Sequence, residues 1–301
     1  MMKITNEILE AHLNCNTKGL RKLAGESGTK SDYEMMSTEA RQASREAAVA
    51  KLVARIPDAS RGVPVTVETL KEGKLLLADA TLEDEAMSLH LEALKRSEGA
   101  SKLGDHHYVP VLHVNGVKVG TRERLFLAVF GLALSGVQGF RPAVGLVICG
   151  PEGRPARVEL DGKLYGQAEQ ALGELKRIQA GGEPSRLVLN KHCQQCEFRQ
   201  RCHEEAVKAD EISLLSGVGE KELKRYNRKG IFTLTQLSCS FRPRRRSRRS
   251  PPLEKRQHAL HAMAIRDRRI YLFWGAEPPR QSRPGLPGHG RAAGLTDKPN
   301  A

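Results

Sequence analysis

The sequence predicts a mixed α/β fold, and three observations carry that reading. Short apolar segments with strand character recur between residues 63 and 160. Stretches of helical length interrupt them, the clearest being the apolar run at 122–136. Hydrophobic residues make up 39 % of the 301-residue chain, enough for a packed core although aromatics are only 4 %. Strands interrupted by helices belong to the α/β or α+β class.

Residues 5–56 read as helix, with apolar positions at Ile8, Leu9, Leu13 and Leu20 and an Ala-rich stretch at 38–55. Thr38, followed by Glu39 and Arg41, reads as its cap and first turn. Strands are expected at 63–67, 74–78, 88–96, 108–114 and 145–150, with a further one at 157–160. The helix at 122–136 falls between the fourth and fifth, and 162–179 reads as an amphipathic helix leading to a cysteine cluster. These elements form a first domain at 1–205.

A second unit is expected at 210–240. Its Ser216-Gly217-Val218-Gly219-Glu220-Lys221 leads into a helical stretch ending near Gly230, and Thr233, Leu234 and Leu237 open another helix. Two short helices with a Gly-x-Gly turn suggest a helix-hairpin-helix. There, glycine lets backbone N–H groups at a helix N-terminus approach a DNA phosphate, with Gly217, Gly219 and Lys221 as the contacts. A small packing module that never touches nucleic acid is the alternative.

The remainder, 241–301, reads as a basic and largely disordered tail. Its block at 242–249 includes Arg244, Arg245 and Arg246, a solvated linker or a salt-sensitive phosphate contact. Residues 260–273 suit one short helix or strand, and from Gly275 on the chain holds five Gly and five Pro. From Ser238 to the end, 15 Lys/Arg stand against 4 Asp/Glu, so +11 of the total +14 charge lies there. The first residues are polar and amphipathic rather than a secretory signal. The longest apolar run, 125–134, is far short of the roughly 20 residues of a membrane span. The expectation is a cytoplasmic protein without a membrane partner.

In a reducing compartment, clustered cysteines act as metal ligands or catalytic groups more often than as disulfides. Cys193-x2-Cys196-x5-Cys202 gathers three thiols in ten residues, among Lys191, Arg199, Arg201 and His203. Basic neighbours favour the metal-binding thiolate. Cys15, far away in sequence, is the candidate fourth ligand, which would clasp the two ends of the domain together. A zinc site completed by His192 or His203 is the rival. Cys149, on an apolar strand, and Cys239 read as ordinary cysteines.

This pattern of one early cysteine and a late triplet resembles the iron–sulfur nucleases of the RecB-like group. That group includes CRISPR-associated exonucleases and a bacterial family of RecB-like nucleases, and the resemblance covers roughly residues 1–272. It implies a restriction-endonuclease-like PD-(D/E)xK core. A 4Fe–4S cluster would sit on Cys15, Cys193, Cys196 and Cys202, and the substrate would be DNA, single-stranded or at ends. It also implies Mg²⁺ or Mn²⁺ held by acidic residues at the catalytic site.

Glu92 falls where the family has its first catalytic Asp. At the expected Glu-x-Lys on the next strand stand Val109 and Val111, which neither bind a cation nor activate water. Asp105 is the substitute candidate carboxylate, with His106, His107 and Lys118 nearby. Phe126 and Phe130 occupy the family's Gln-x-x-x-Tyr register. Longer relatives continue into a ribonuclease-H-like domain and often a helicase. After Leu272 this chain runs into Pro/Gly/Arg-rich sequence, the expected mark of a truncated or frameshifted product. Three readings follow: a metal-dependent DNA nuclease, a non-catalytic DNA-binding module on the same fold, and a zinc-ribbon nucleic-acid-binding protein.

Overall fold

A computed structural model describes residues 2–150, 153–240 and 254–271. Its first unit is built on a mixed seven-stranded sheet in the order β2-β3-β4-β5-β6-β7. The strands are β1 (Ile4–Thr5), β2 (Ala59–Arg61), β3 (Leu76–Glu83), β4 (Met87–Ser101), β5 (Gly104–Val114), β6 (Val144–Cys149) and β7 (Arg154–Glu159). β3, β4 and β5 form an antiparallel meander. β6 returns parallel to β5, and β7 closes the edge antiparallel to β6. The parallel step requires a crossover, and helix α5 (Thr121–Gln138) supplies it.

β4 has different neighbours along its length. At its start Met87 and Ser88 pair with Ile4 and Thr5 of β1. Pairing with β5 begins only at Ala93↔Val111 and runs to Ser101↔Gly104. Between these two ladders the sheet parts, and Glu92 lies in the gap.

The N-terminal region expected as one helix is three: α1 (Asn6–Asn14), α2 (Asn16–Leu23) and α3 (Asp32–Arg55). Cys15 is the break, extended at φ −163° and ψ 118°. α1 and α2 approach so closely that a Cβ on Gly19 would lie 2.5 Å from the Cβ of His12. α3 starts two turns earlier than expected, because Ser31 caps it by accepting the N–H of Glu34. Thr38 lies inside it, its hydroxyl donating to the Glu34 carbonyl.

Residues 63–67 are not a strand. Pro64 makes a single bridge with Thr81. Thr66 then caps the short helix α4 (Val67–Lys71), whose Leu70 is fully buried.

The main core joins Leu89, Leu91 and Leu94 of β4 to Leu127, Phe130 and Leu134 of α5. It extends to Leu172 and Leu175 of α6 (Gly162–Gln179). A smaller cluster packs Leu52, Val53 and Ile56 at the end of α3 on Leu76, Ala93, Val111 and Ile148. α5 ends at Gly139, whose φ of +62° is the left-handed geometry that glycine adopts without penalty. Just before it, the Gln138 amide accepts the N–H of Tyr108 at 2.9 Å and donates to its carbonyl at 3.2 Å. The crossover helix is thereby fixed to β5.

After a 3-10 turn at Lys191–Gln195 come α7 (Arg199–Lys208), a second 3-10 turn at Ile212–Leu214, α8 (Glu220–Asn227), α9 (Leu234–Cys239) and α10 (Glu254–Asp267). Ile212, Leu215, Val218, Leu223, Tyr226, Leu234, Leu237 and Ala262 form a separate core. Ala262 belongs to α10, so part of the segment expected as a tail is a helix packed into this unit. Arg244, Arg245 and Arg246 lie outside the described residues. Among those described, no helix is long and apolar enough to cross a membrane.

Candidate functional site

Glu92 is buried in the gap between the two ladders of β4. There the His113 N–H donates to its Oε2 at 2.6 Å. Burial pushes its carboxyl up to about 7, although the His113 hydrogen bond and the charge of Arg45 pull the other way. Asp79 adds to the rise. That residue sits across from Glu92 on β3, where the ladder steps from Ala78↔Ala93 to Ala80↔Leu91. Its φ of 48° is left-handed, a conformation in which Asp is among the better tolerated side chains. Its carboxylate accepts from Arg61 and lies 3.5 Å from His90 Nε2. Burial holds His90 below its usual range, and Arg45 does the same.

The other expected carboxylate is elsewhere. β4–β5 pairing sets His106 opposite Glu98, six residues along β4 from Glu92, which is about 20 Å at strand rise. The Asp105 side chain is 89 % exposed and faces His106 and Arg96, so Asp105 and Glu92 do not share a site. The His106 ring lies 3.0 Å from the Leu70 carbonyl oxygen, and His107 packs against Phe140. Val109 and Val111 are buried, in keeping with their apolar character.

A cleft of about 470 Å³ opens over Glu92, with Arg41 and Arg45 of α3, Arg122 of α5, and Lys118 on its walls. Phe126 and Phe130, in the Gln-x-x-x-Tyr register, line it too, packed edge to face with ring centroids 5.5 Å apart. A second cleft of about 780 Å³ shares Asn6, Glu10, Thr38, Arg41, Arg45 and Arg122 with the first. The two form one groove running from Glu92 toward the cysteine segment, where Lys18, Lys22, Lys30 and His192 line it. Seven Lys and Arg line the groove against six Glu (Glu7, Glu10, Glu34, Glu92, Glu123 and Glu197), so its excess of positive charge is small.

The cysteine segment and the N-terminal helices meet. Asn190 donates to the Asn14 carbonyl at 3.1 Å, and Thr29 N–H to the Glu197 carbonyl at 3.2 Å. The Glu197 side chain is 2 % exposed, taking Lys22 at 3.0 Å and Lys18 at 3.3 Å. Arg21 reaches Glu205 at 2.6 Å and stacks over Phe198.

Cys15 is brought into electrostatic reach of Cys193, Cys196 and Cys202. Burial raises all three of those thiols, and the neighbouring sulfurs raise them further. This corrects the expectation of thiols lowered by basic neighbours. Lys18 and Arg21 do favour the thiolates of Cys196 and Cys202, but burial outweighs them. Arg201 spends its charge on Glu26 and Glu205. Among the described residues, no three His, Cys, Asp or Glu side chains gather tightly enough to hold a metal ion. The four sulfurs share a neighbourhood without forming a closed coordination shell. Cys149 is buried on β6, and Cys239 is exposed at the end of α9.

In the C-terminal unit, Gly217, Gly219 and Lys221 are exposed. Gly217 turns at φ +81°, and Gly219 precedes α8 without a side-chain cap. The Gly-x-Gly follows a single 3-10 turn, while α8 and α9 are joined by residues 228–233. Glu220 and Glu222 already occupy the first turn of α8, where negative charge is favoured.

Sequence reading found Glu92 and missed Asp79, Arg45, Arg41, Arg122 and the His113 amide. The spacing of Arg41 and Arg45 on one helix face was a usable signal. The cross-strand position of Asp79 was not. No protein-family model matches this chain, and no curated protein matches it.

Proposed function

We propose that this chain is a metal-dependent DNA nuclease of the RecB-like type, with Glu92 at its catalytic centre. The observation that carries the reading is Glu92 itself. It is a buried carboxylate where the sheet parts, at the base of an arginine-walled groove. The meander β3–β4–β5, the crossover α5 and the parallel β6 are the elements that support a PD-(D/E)xK-like reading of the sheet.

Mg²⁺ commonly binds through one or two carboxylates, completing its shell with water and substrate phosphate. Glu92 would supply one carboxylate, and Asp79, across from it on β3, would have to leave its ion pair with Arg61 to supply a second. A metal there would stabilise charge on the phosphate and lower the pKa of an attacking water. Arg41, Arg45 and Arg122 would hold the DNA backbone. Gly217, Gly219 and Lys221 form a second contact in a helix-hairpin-helix-like unit.

Cys15, Cys193, Cys196 and Cys202 would carry a 4Fe–4S cluster as a structural clasp. Three thiols raised by burial and by neighbouring sulfurs, with Cys15 close by, are a donor set that a cationic centre would stabilise as thiolates. In such a cluster each thiolate has its own iron, so the sulfurs need not crowd around one ion. One zinc, with His192 or His203 as a ligand, is the alternative occupant.

Val109 and Val111 favour a second reading, in which the fold binds DNA without cutting it. Incubation of labelled single- and double-stranded DNA with Mn²⁺ or with EDTA separates the two. Metal-dependent cleavage supports the nuclease, binding without cleavage supports the second reading, and neither binding nor cleavage overturns both.

A further inference from the structure

Two guanidiniums from different elements converge on one oxygen in the groove. Arg41 of α3 donates to Glu10 Oε1 at 2.8 Å, and Arg122 of α5 donates to the same atom at 3.2 Å. Arg122 also donates to Glu123 at 3.0 and 3.2 Å through its other nitrogens. Arg41 touches the Ser37 carbonyl and the Thr38 hydroxyl of its own helix. Glu10, on α1, lines both halves of the groove and so stands on the route to Glu92.

We propose that Arg41 and Arg122 form a clamp for a single backbone phosphate of nucleic acid, with Glu10 occupying the clamp in the free protein. This rests on the nucleic-acid reading of the groove and assigns it a defined phosphate position and an internal competitor. The chemistry favours the exchange. Glu10 offers one oxygen to two guanidiniums, whereas a phosphodiester offers two non-bridging oxygens, one for each, in charge-assisted bonds. The three side chains are 45 %, 40 % and 37 % exposed for Arg41, Arg122 and Glu10. Ion pairs this open to water are weak and can be displaced. Once displaced, the Glu10 carboxylate swings free, and both arginines keep the geometry it imposed. Arg45, one turn beyond Arg41, then faces the next stretch of backbone toward Glu92.

The test is fluorescence anisotropy of a labelled oligothymidylate with the full chain, repeated across a salt series. Removing the competing charge in Glu10→Gln should tighten binding several-fold. Arg41→Ala and Arg122→Ala should each weaken it by about tenfold and reduce the salt slope by about 0.7, the loss of one phosphate contact on a single strand. The double variant should lose little more than either single one, because both arginines serve one phosphate. Arg41→Lys, which keeps the charge and loses the fork, should fall between wild type and Arg41→Ala. Unchanged affinity in Glu10→Gln, with additive or absent losses in the arginine variants, overturns the clamp while leaving DNA binding intact. A wild-type chain that does not bind the strand overturns the nucleic-acid reading of the groove, and the clamp with it.

Discussion

Glu92 is the residue on which the account turns, and its ionisation gives a direct check. Burial raises its carboxyl from 4.5 to about 7 in the folded chain. Between those values the unfolded chain has released the proton and the folded chain keeps it, so stability falls as pH rises from about 4.5 to about 7 and then levels off. The drop is on the order of 3 kcal/mol, from about 1.4 kcal/mol per pKa unit. Glu92→Gln, still able to accept the His113 N–H, should flatten that slope and be the more stable protein at pH 8. Urea midpoints across pH in metal-free buffer measure this, and a wild-type slope in the variant would contradict it. Glu92 was legible in the sequence only through the family resemblance, at the position of the first catalytic Asp. Asp79, Arg45 and the His113 amide were not, because each reaches Glu92 through pairing and packing that no local pattern encodes. The basic neighbourhood of the cysteines misled for the same reason: charges close in sequence, such as Arg201, are paired elsewhere.

At the scale of elements, the break between α1 and α2 decides where Cys15 stands. Apolar periodicity runs across it from Leu13 to Leu20, so the sequence reads as one helix. The close approach of Gly19 to His12 is what separates the two. Gly19→Ala should therefore cost about 1–3 kcal/mol by overpacking. Gly166, inside α6 with open space around its Cβ position, should instead gain about 0.5–1 kcal/mol on the same change. Equal effects in a pair of urea titrations would rule out the close contact as the cause. Most strands, α5 and α6 were legible because burial on a sheet or along a helix face leaves a period in the sequence. The strand expected at 63–67 failed because Pro64 and Thr66 serve a turn and a cap rather than a ladder. α10 was open between helix and strand in the sequence, since the core that holds Ala262 is built from residues more than twenty positions away.

At the scale of the molecule, the N-terminal helices and the 190–205 segment close on one another through Glu197, Arg21 and Asn190, with the four cysteines nearby. Cys15→Ala should lose bound iron and sulfide together and lower the melting temperature, measured on anaerobically purified protein. Full metal retention in that variant would point to a local zinc site. The proposed nuclease reading rests on the groove, the parted sheet and the cysteine segment, and Glu92 is where it is most exposed to failure. The decisive measurement is single-turnover cleavage of one end-labelled DNA in Mn²⁺, wild type against Glu92→Gln, with the strand fully bound in both. Wild type should cleave in a reaction that EDTA stops, and Glu92→Gln should lose at least a hundredfold, roughly the 2.7 kcal/mol or more that a catalytic group supplies. Equal rates in the two proteins, or a wild type that binds and never cuts, would contradict it.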